Sequence, residues 1–170
     1  VYNLTGGATG ATLTWDQTPA GINPIAIAGG NATISGTPTA NITTPTTYTY
    51  TLISTGGSCP DTKTGTITVN PDGEITLLNG TQNQTLCEDT AITPIEFTLA
   101  GGATSSSISW DVTPTGLSYN TTTHTLSGSP TGIANQTAYT YTITTAGSGC
   151  TAGTISGTII VDPLDELAIN

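Results

Sequence analysis

The chain has 170 residues, of which only 7% are charged, and one Lys against 11 acids gives a net charge of −10. Nucleic-acid binding and attachment to an anionic membrane surface both depend on Lys and Arg, so this composition argues against both classes of partner. No apolar run approaches the ~20 residues of a membrane-spanning helix. Thr is abundant, and because its branched side chain favours strands while its hydroxyl faces water, we expect an all-β protein.

The predicted strands of the first half are short and are separated by turns. Residues 1–22 lead through a Gly-rich turn to Trp15, and residues 32–40 (ATISGTPTA) place apolar residues before a Gly and a Pro. Pro fixes φ and Gly adopts conformations closed to other residues, so this string is typical of a strand that ends in a rigid turn. Residues 44–59 and 65–71 supply further strand segments.

The second half repeats the first. HTLSGSPTG at 124–132 follows the pattern of ATISGTPTA, and Trp110 falls on Trp15 when the two halves are aligned. The segments ISWDV (108–112) and YTYTI (139–143) alternate apolar and polar residues, which predicts strands with one buried face. A period of about 90 residues indicates tandem domains in a longer array.

Each copy has the length of a β-sandwich domain. Short strands with a single apolar face need a second layer to bury that face, so two packed sheets are expected in each copy. We predict about seven strands per copy. The predicted boundaries are 1–71 for the first repeat, 72–163 for the second, and 164–170 for the start of a third.

Two stretches resemble the bacterial putative-Ig family, whose mark is a Pro-x-Gly-Leu stretch, a loop and then Ile-Ser-Gly-Thr-Pro; they lie at 19–39 and 114–131. The wider frame resembles the PKD-like, Ig-like repeats of giant surface proteins of gliding Bacteroidetes. In those repeats Cys-x-x-Thr-Ala-Ile-Thr-Pro-Ile opens a copy, as at 87–95, and a Cys precedes Gly-Thr-Ile-x-Val-x-Pro, as at Cys150 and 157–163. The resemblance implies two tandem Ig-like β-sandwich domains from a large adhesin or gliding-type protein.

The repeat accounts for an odd number of cysteines. Cys87 and Cys150 lie near the start and the end of the second copy, and we predict a disulfide between them. Closing that loop would stabilise the domain by roughly 4 kcal/mol on the chain-entropy estimate. Cys59 matches Cys150, and its partner would lie upstream of this chain. Oxidised cysteines indicate an extracellular setting.

Acidic residues cluster near the predicted domain junctions. The candidates for a calcium site are Asp72, Glu74, Glu88 and Asp89, and acids recur at Asp162, Asp165 and Glu166. Calcium takes six to eight oxygen ligands, which carboxylates and carbonyls at a hinge can supply. The alternative is that these side chains are solvated acids without a metal, because no Asp-x-Asp motif is present.

One modification site follows from resemblance alone. The tripeptide Asp-Thr-Ala at 89–91 resembles the O-glycosylation signal of Bacteroidetes. That resemblance implies a sugar on Thr90.

The chain lacks the usual parts of an active site. His124 is the only histidine, and a Ser-His-Asp mechanism would have to use it, but a surface position is the simpler interpretation. Asp16 and Asp111 each follow a Trp and are interpreted as solvent-facing neighbours of a core residue rather than as a catalytic pair. Trp15 and Trp110 are expected in the core, whereas exposure would make them a carbohydrate platform. We therefore predict that the chain is not an enzyme.

The sequence favours a structural and adhesive repeat module of a long secreted cell-surface or filamentous protein, acting as spacer and display stalk. The alternative is a glycan-binding appendage of a secreted polysaccharide-degrading enzyme. The expected partners are neighbouring repeats, other copies in a filament, and a surface glycan or protein receptor. Calcium is the only candidate cofactor.

Overall fold

The computed structural model describes residues 1–39, 42–147 and 149–165. Every regular element in these ranges is a β-strand, which confirms the all-β prediction. The strands fall into two compact units, Val1–Asn70 (unit 1) and Pro71–Asn170 (unit 2). The predicted start of a third repeat lies largely outside the described residues, which end at Asp165.

Unit 1 contains six strands in its described residues and forms two three-stranded sheets, in the orders β1-β4-β3 and β2-β5-β6. All of these pairings are antiparallel. The strands are β1 (Tyr2–Asn3), β2 (Gly10–Trp15), β3 (Ala26–Ala28), β4 (Asn31–Thr33), β5 (Thr46–Thr55) and β6 (Thr62–Val69).

Unit 2 contains eight strands in its described residues and forms two four-stranded sheets, in the orders β11-β12-β9-β7 and β10-β13-β14-β8. The β8–β14 pairing is parallel and the others are antiparallel. The strands are β7 (Gly73–Asn79), β8 (Gln84–Cys87), β9 (Ile95–Gly101), β10 (Ser105–Trp110), β11 (Leu117–Asn120), β12 (Thr125–Gly128), β13 (Thr137–Ala146) and β14 (Thr154–Asp162).

The core of unit 2 follows from the alternation in its sequence. On β13 the side chains of Tyr139, Tyr141 and Ile143 are buried on one face, while the intervening Thr residues lie on the other. Ile159 and Val161 of β14 are fully buried beside them. Burying an apolar side chain of this size contributes about 1.5–3 kcal/mol relative to leaving it exposed, so these two inner strands dominate the stability of the sheet.

The repeated Ser-Gly-x-Pro sequence places a glycine at a close backbone contact in both units. Gly36 and Gly128 have φ angles of 134° and 126°, a region that essentially only glycine occupies. A Cβ added to Gly128 would collide with the carbonyl oxygen of Gly116, and one added to Gly36 would collide with that of Gly21. The phrase occurs twice because each copy needs a glycine there, where two backbone segments touch.

The prediction was about seven strands per copy, and the described residues contain six strands in unit 1 and eight in unit 2. Strands β9 to β14 of unit 2 correspond one by one to β1 to β6 of unit 1. Unit 2 has two further strands, β7 and β8, one on the outer edge of each sheet.

Candidate functional site

The structure does not support the predicted disulfide between Cys87 and Cys150. Both side chains are exposed, and no two cysteines of the described chain lie at bonding distance. Cys87 pairs with Asp162 at the end of β14, whereas Cys150 precedes the start of β14 at Thr154. A strand of nine residues separates its two ends by about 25 Å, far beyond the 4.4–6.8 Å Cα separation of a disulfide. The proposed upstream partner of Cys59 stays a prediction.

The acidic residues proposed for calcium are not brought together. Asp72 accepts a hydrogen bond from the Thr151 amide at 3.0 Å, near the start of β14. The Glu88 amide donates to the Asp162 carbonyl at 2.8 Å, near the opposite end of that strand. No group of three or more metal-ligating side chains occurs in the part of the chain that the structure describes, and Glu166 lies outside that part. Calcium binding stays a prediction without support from this geometry.

Glu88 instead binds the backbone of the loop that follows β12. Its Oε1 accepts hydrogen bonds from the amides of Gly132 and of Ile133, the latter at 2.9 Å. The Ile133 amide is the main cause that lowers the pKa of Glu88 below its usual value. Since Ile133 is buried, this carboxylate fixes the segment that follows β12 onto the core.

Thr90 is exposed at the end of a tight turn. The Thr90 amide donates to the Cys87 carbonyl at 3.2 Å, and Asp89 within that turn has a φ of 61°. The side chain is therefore accessible to a modifying enzyme, and glycosylation of Thr90 stays a prediction.

Asp16 and Asp111 have a structural role that the sequence did not indicate. The Oδ1 of Asp111 accepts hydrogen bonds from the amides of Val112 at 2.7 Å and of Thr140 at 2.8 Å. These two donors, Val112 first, lower the pKa of Asp111. Asp16 makes the corresponding pair of bonds in unit 1. Each carboxylate ties the end of one strand to its neighbour, and the two residues lie in separate units.

The aromatic side chains form matching clusters in the two units. The Trp110 and Tyr141 ring centroids are 5.5 Å apart at 61°, and those of Trp15 and Tyr50 are 5.2 Å apart at 61°. Both Trp side chains are half-buried, and none of the Trp, Tyr or Phe side chains of the chain is exposed. An exposed aromatic row, which glycan binding would favour, is therefore not present.

His124 is not a plain surface residue. Its Nδ1 is 2.9 Å from the Oγ of buried Ser106, and the same oxygen is 2.6 Å from the Tyr119 hydroxyl. Ser106 lies on β10 of one sheet, Tyr119 lies on β11 of the other, and His124 directly precedes β12 of that second sheet, so the three side chains join the two layers. Burial raises the pKa of Tyr119.

The surroundings of Ser106 do not suit nucleophilic catalysis. Ser106 is 6% exposed, and its hydroxyl is already shared by two partners. A signal for this cluster was present in the alignment, because Ser106 and His124 fall on Ala11 and Ala32, so both positions differ together between the copies.

Comparison with known proteins identifies the fold and no family. No family model and no curated protein matches the chain. Drosophila N-cadherin EC1-4 has a TM-score of 0.52 at 11% identity, over 91% of this chain and 41% of that one. A titin I-band fragment has a TM-score of 0.51 at 10% identity, over 90% of this chain and 55% of that one. This chain spans about half the length of those chains or less, and the likeness confirms the Ig-like β-sandwich fold.

Within the described residues there is no helix long and apolar enough to cross a membrane. The features that both units share are six corresponding strands, the aromatic clusters and the glycine contacts, all of which serve folding.

Proposed function

We propose that this chain is a structural and adhesive module of a long extracellular surface protein, in which successive repeats act as a spacer and present an outer region. The observation that carries the proposal is the duplication itself. Each unit has its own core, its own Trp–Tyr pair and its own carboxylate at the same place. Repeats that share these internal contacts suit a role in reach rather than in chemistry.

The surface composition supports an extracellular location for this module. Lys63 is the only basic side chain other than the single His, and it forms an exposed ion pair with Asp61 at 2.9 Å. This sparsely basic surface, with a net charge of −10, resists self-association. It also offers a trypsin-like protease almost no cleavage site.

The test is the location of the protein on the cells that produce it. Antibodies raised against the chain are applied to intact and to permeabilised cells of the source culture. We expect labelling of intact cells, with the signal removed by brief treatment with a broad-specificity protease. Labelling only after permeabilisation would contradict the proposal.

A second candidate, a glycan-binding appendage, has support from one feature of unit 1. A cavity of about 300 Å³ lies beside Trp15 and is lined by Leu13, Trp15, Thr18, Ile22, Asn23, Pro24 and Ile25. Titration with soluble oligosaccharides, followed by Trp fluorescence in a Trp110→Phe chain, tests it. A saturable change that is absent from a Trp15→Phe chain would favour this candidate over the spacer role.

A further inference from the structure

The chain has one Asn-Gly step, at Asn79 and Gly80, where β7 ends. Asn79 is exposed, and the register of β7 against β9 shifts between Leu77 and Asn79. The Gly80 amide donates a hydrogen bond to Oδ1 of Asn79 at 2.9 Å. Because Oδ1 is bonded to Cγ, this contact holds the side-chain carbonyl carbon beside the nitrogen of the next residue, and holding two groups together favours their reaction.

Only glycine fits at position 80. Its φ is 84°, in the left-handed region that favours glycine. A Cβ added to Gly80 would collide with the carbonyl oxygen of Pro94. The turn therefore requires, directly after Asn79, the residue whose missing side chain leaves the backbone nitrogen most accessible.

The one Asp-Gly step of the chain, at Asp72 and Gly73, is held differently. The Gly73 amide donates to the Thr151 carbonyl at 2.8 Å, and the Asp72 carboxylate accepts from the Thr151 amide at 3.0 Å. Gly73 is also buried, whereas Asn79 is exposed. The side chain and the following amide of this step are both bonded to Thr151, so they do not contact each other as those of Asn79 and Gly80 do.

The fold accommodates an aspartate at position 79. Three aspartates of the chain accept a hydrogen bond from the amide of the next residue, at distances of 2.6 to 2.8 Å, namely Asp16, Asp61 and Asp111. An aspartate in place of Asn79 would therefore keep the contact with Gly80. An isoaspartate would instead route the main chain through the side chain and add one backbone carbon, at the point where Gly80 touches Pro94.

We propose that Asn79 is a self-modification site that converts through a cyclic imide to aspartate and isoaspartate. The Gly80 nitrogen bonds to Cγ of Asn79, the Cγ–Nδ2 bond breaks, and ammonia leaves with the proton of the Gly80 amide. Water then opens the imide, either at Cγ to give aspartate or at the main-chain carbonyl to give isoaspartate. Water is the only co-reactant, and each product adds one negative charge to the net charge of −10. This site is independent of the proposed extracellular role.

The test follows the folded full chain in mildly alkaline buffer, with samples taken over time and digested with pepsin in acid. Mass spectrometry should show the mass gain of deamidation on the peptide that contains Asn79 before it appears on any other Asn-containing peptide. Ammonia should be released in the same amount. The isoaspartate fraction is measured by methyl transfer from S-adenosylmethionine with an isoaspartate methyltransferase.

Asn79→Gln is the matched control, because the longer side chain keeps the amide but would have to close a six-membered ring. This variant should release no ammonia over the period in which the unmodified chain reacts. It also keeps a side-chain oxygen near the exposed end of β7, so it should fold as the original chain does. Release of ammonia from both chains at the same rate would overturn the proposal.

The same chain in urea separates the effect of the fold from that of the sequence. Folding should slow isomerisation at Asp72 by about tenfold or more, because the two hydrogen bonds to Thr151 must first break. Asn79 should react in the folded chain as readily as in urea, because its contact with Gly80 is already formed. An Asn79 that reacts in urea but stays unmodified in the folded chain would overturn the proposal, as would earlier deamidation of another Asn in the folded chain.

Discussion

The two units share six corresponding strands, yet only unit 2 has a closed core. Tyr141 is fully buried in unit 2, whereas its counterpart Tyr50 is half-buried. The difference lies at the two sheet edges, where unit 2 has β7 and β8 and unit 1 has no described counterpart. Outer strands therefore complete the core of this fold rather than decorate it.

What the units share is as informative as what separates them. The Trp–Tyr ring angle is 61° in both, and the aspartate after each Trp makes the same two amide contacts. These contacts do not depend on the outer strands. The six shared strands thus carry the local geometry, and β7 and β8 set how much apolar area is removed from water.

The largest expected difference between the units is at the buried tyrosines. Tyr141→Ala removes a fully buried ring that packs against Trp110 and Phe97, which should cost unit 2 about 3–5 kcal/mol. Tyr50→Ala should cost unit 1 clearly less, because that ring is half-buried. Urea unfolding is followed by Trp fluorescence, with the Trp15→Phe chain reporting unit 2 and the Trp110→Phe chain reporting unit 1. Equal losses would contradict a more open core in unit 1.

The glycine contacts should matter equally in both units. Gly36→Ala and Gly128→Ala each force a side chain into a φ region closed to it and against a carbonyl, at a cost of about 1–3 kcal/mol or more. The control is Gly132→Ala, since Gly132 has a φ of 76° and open space around it. A loss at Gly132 as large as at Gly128 would show that the carbonyl contact is not the cause.

The polar cluster of unit 2 should be worth less and should be replaceable. Ser106→Ala or His124→Ala alone breaks a network with a buried hydroxyl and should cost about 1 kcal/mol. The double variant takes the residues of unit 1, Ala11 and Ala32, and should cost less than the two single losses added together. Strict additivity in urea unfolding would mean that Ser106 and His124 are not coupled.

The smallest expected effect is that of reduction. Because Cys87 and Cys150 lie near opposite ends of β14, dithiothreitol should leave the Tm of unit 2 unchanged. Differential scanning calorimetry with and without the reductant measures this. A Tm that falls on reduction would restore the disulfide that the sequence suggested.

The sequence predicted the features that an alternating pattern or a repeat can mark. The alternation around Tyr139 and Trp110 located core strands, and the repeat located the glycines of the Ser-Gly-x-Pro phrase. The disulfide prediction was wrong because the position of a residue near the start or end of a repeat does not show where it lies in the fold. Cys87 and Cys150 lie near opposite ends of β14. The Ser106–His124 contact crosses between sheets, so no local pattern marks it; its sequence signal is that both positions are Ala in unit 1.

The central claim is that the two units have separate cores and that the core of unit 2 is more fully buried. Urea unfolding followed separately through the fluorescence of Trp15 and of Trp110 tests it most directly. Each unit holds one Trp, so a Trp110→Phe chain reports unit 1 and a Trp15→Phe chain reports unit 2. We predict two separate urea transitions, with the Trp15 signal changing at the lower concentration. Coincident midpoints that also shift together when Tyr141→Ala is introduced would contradict the account.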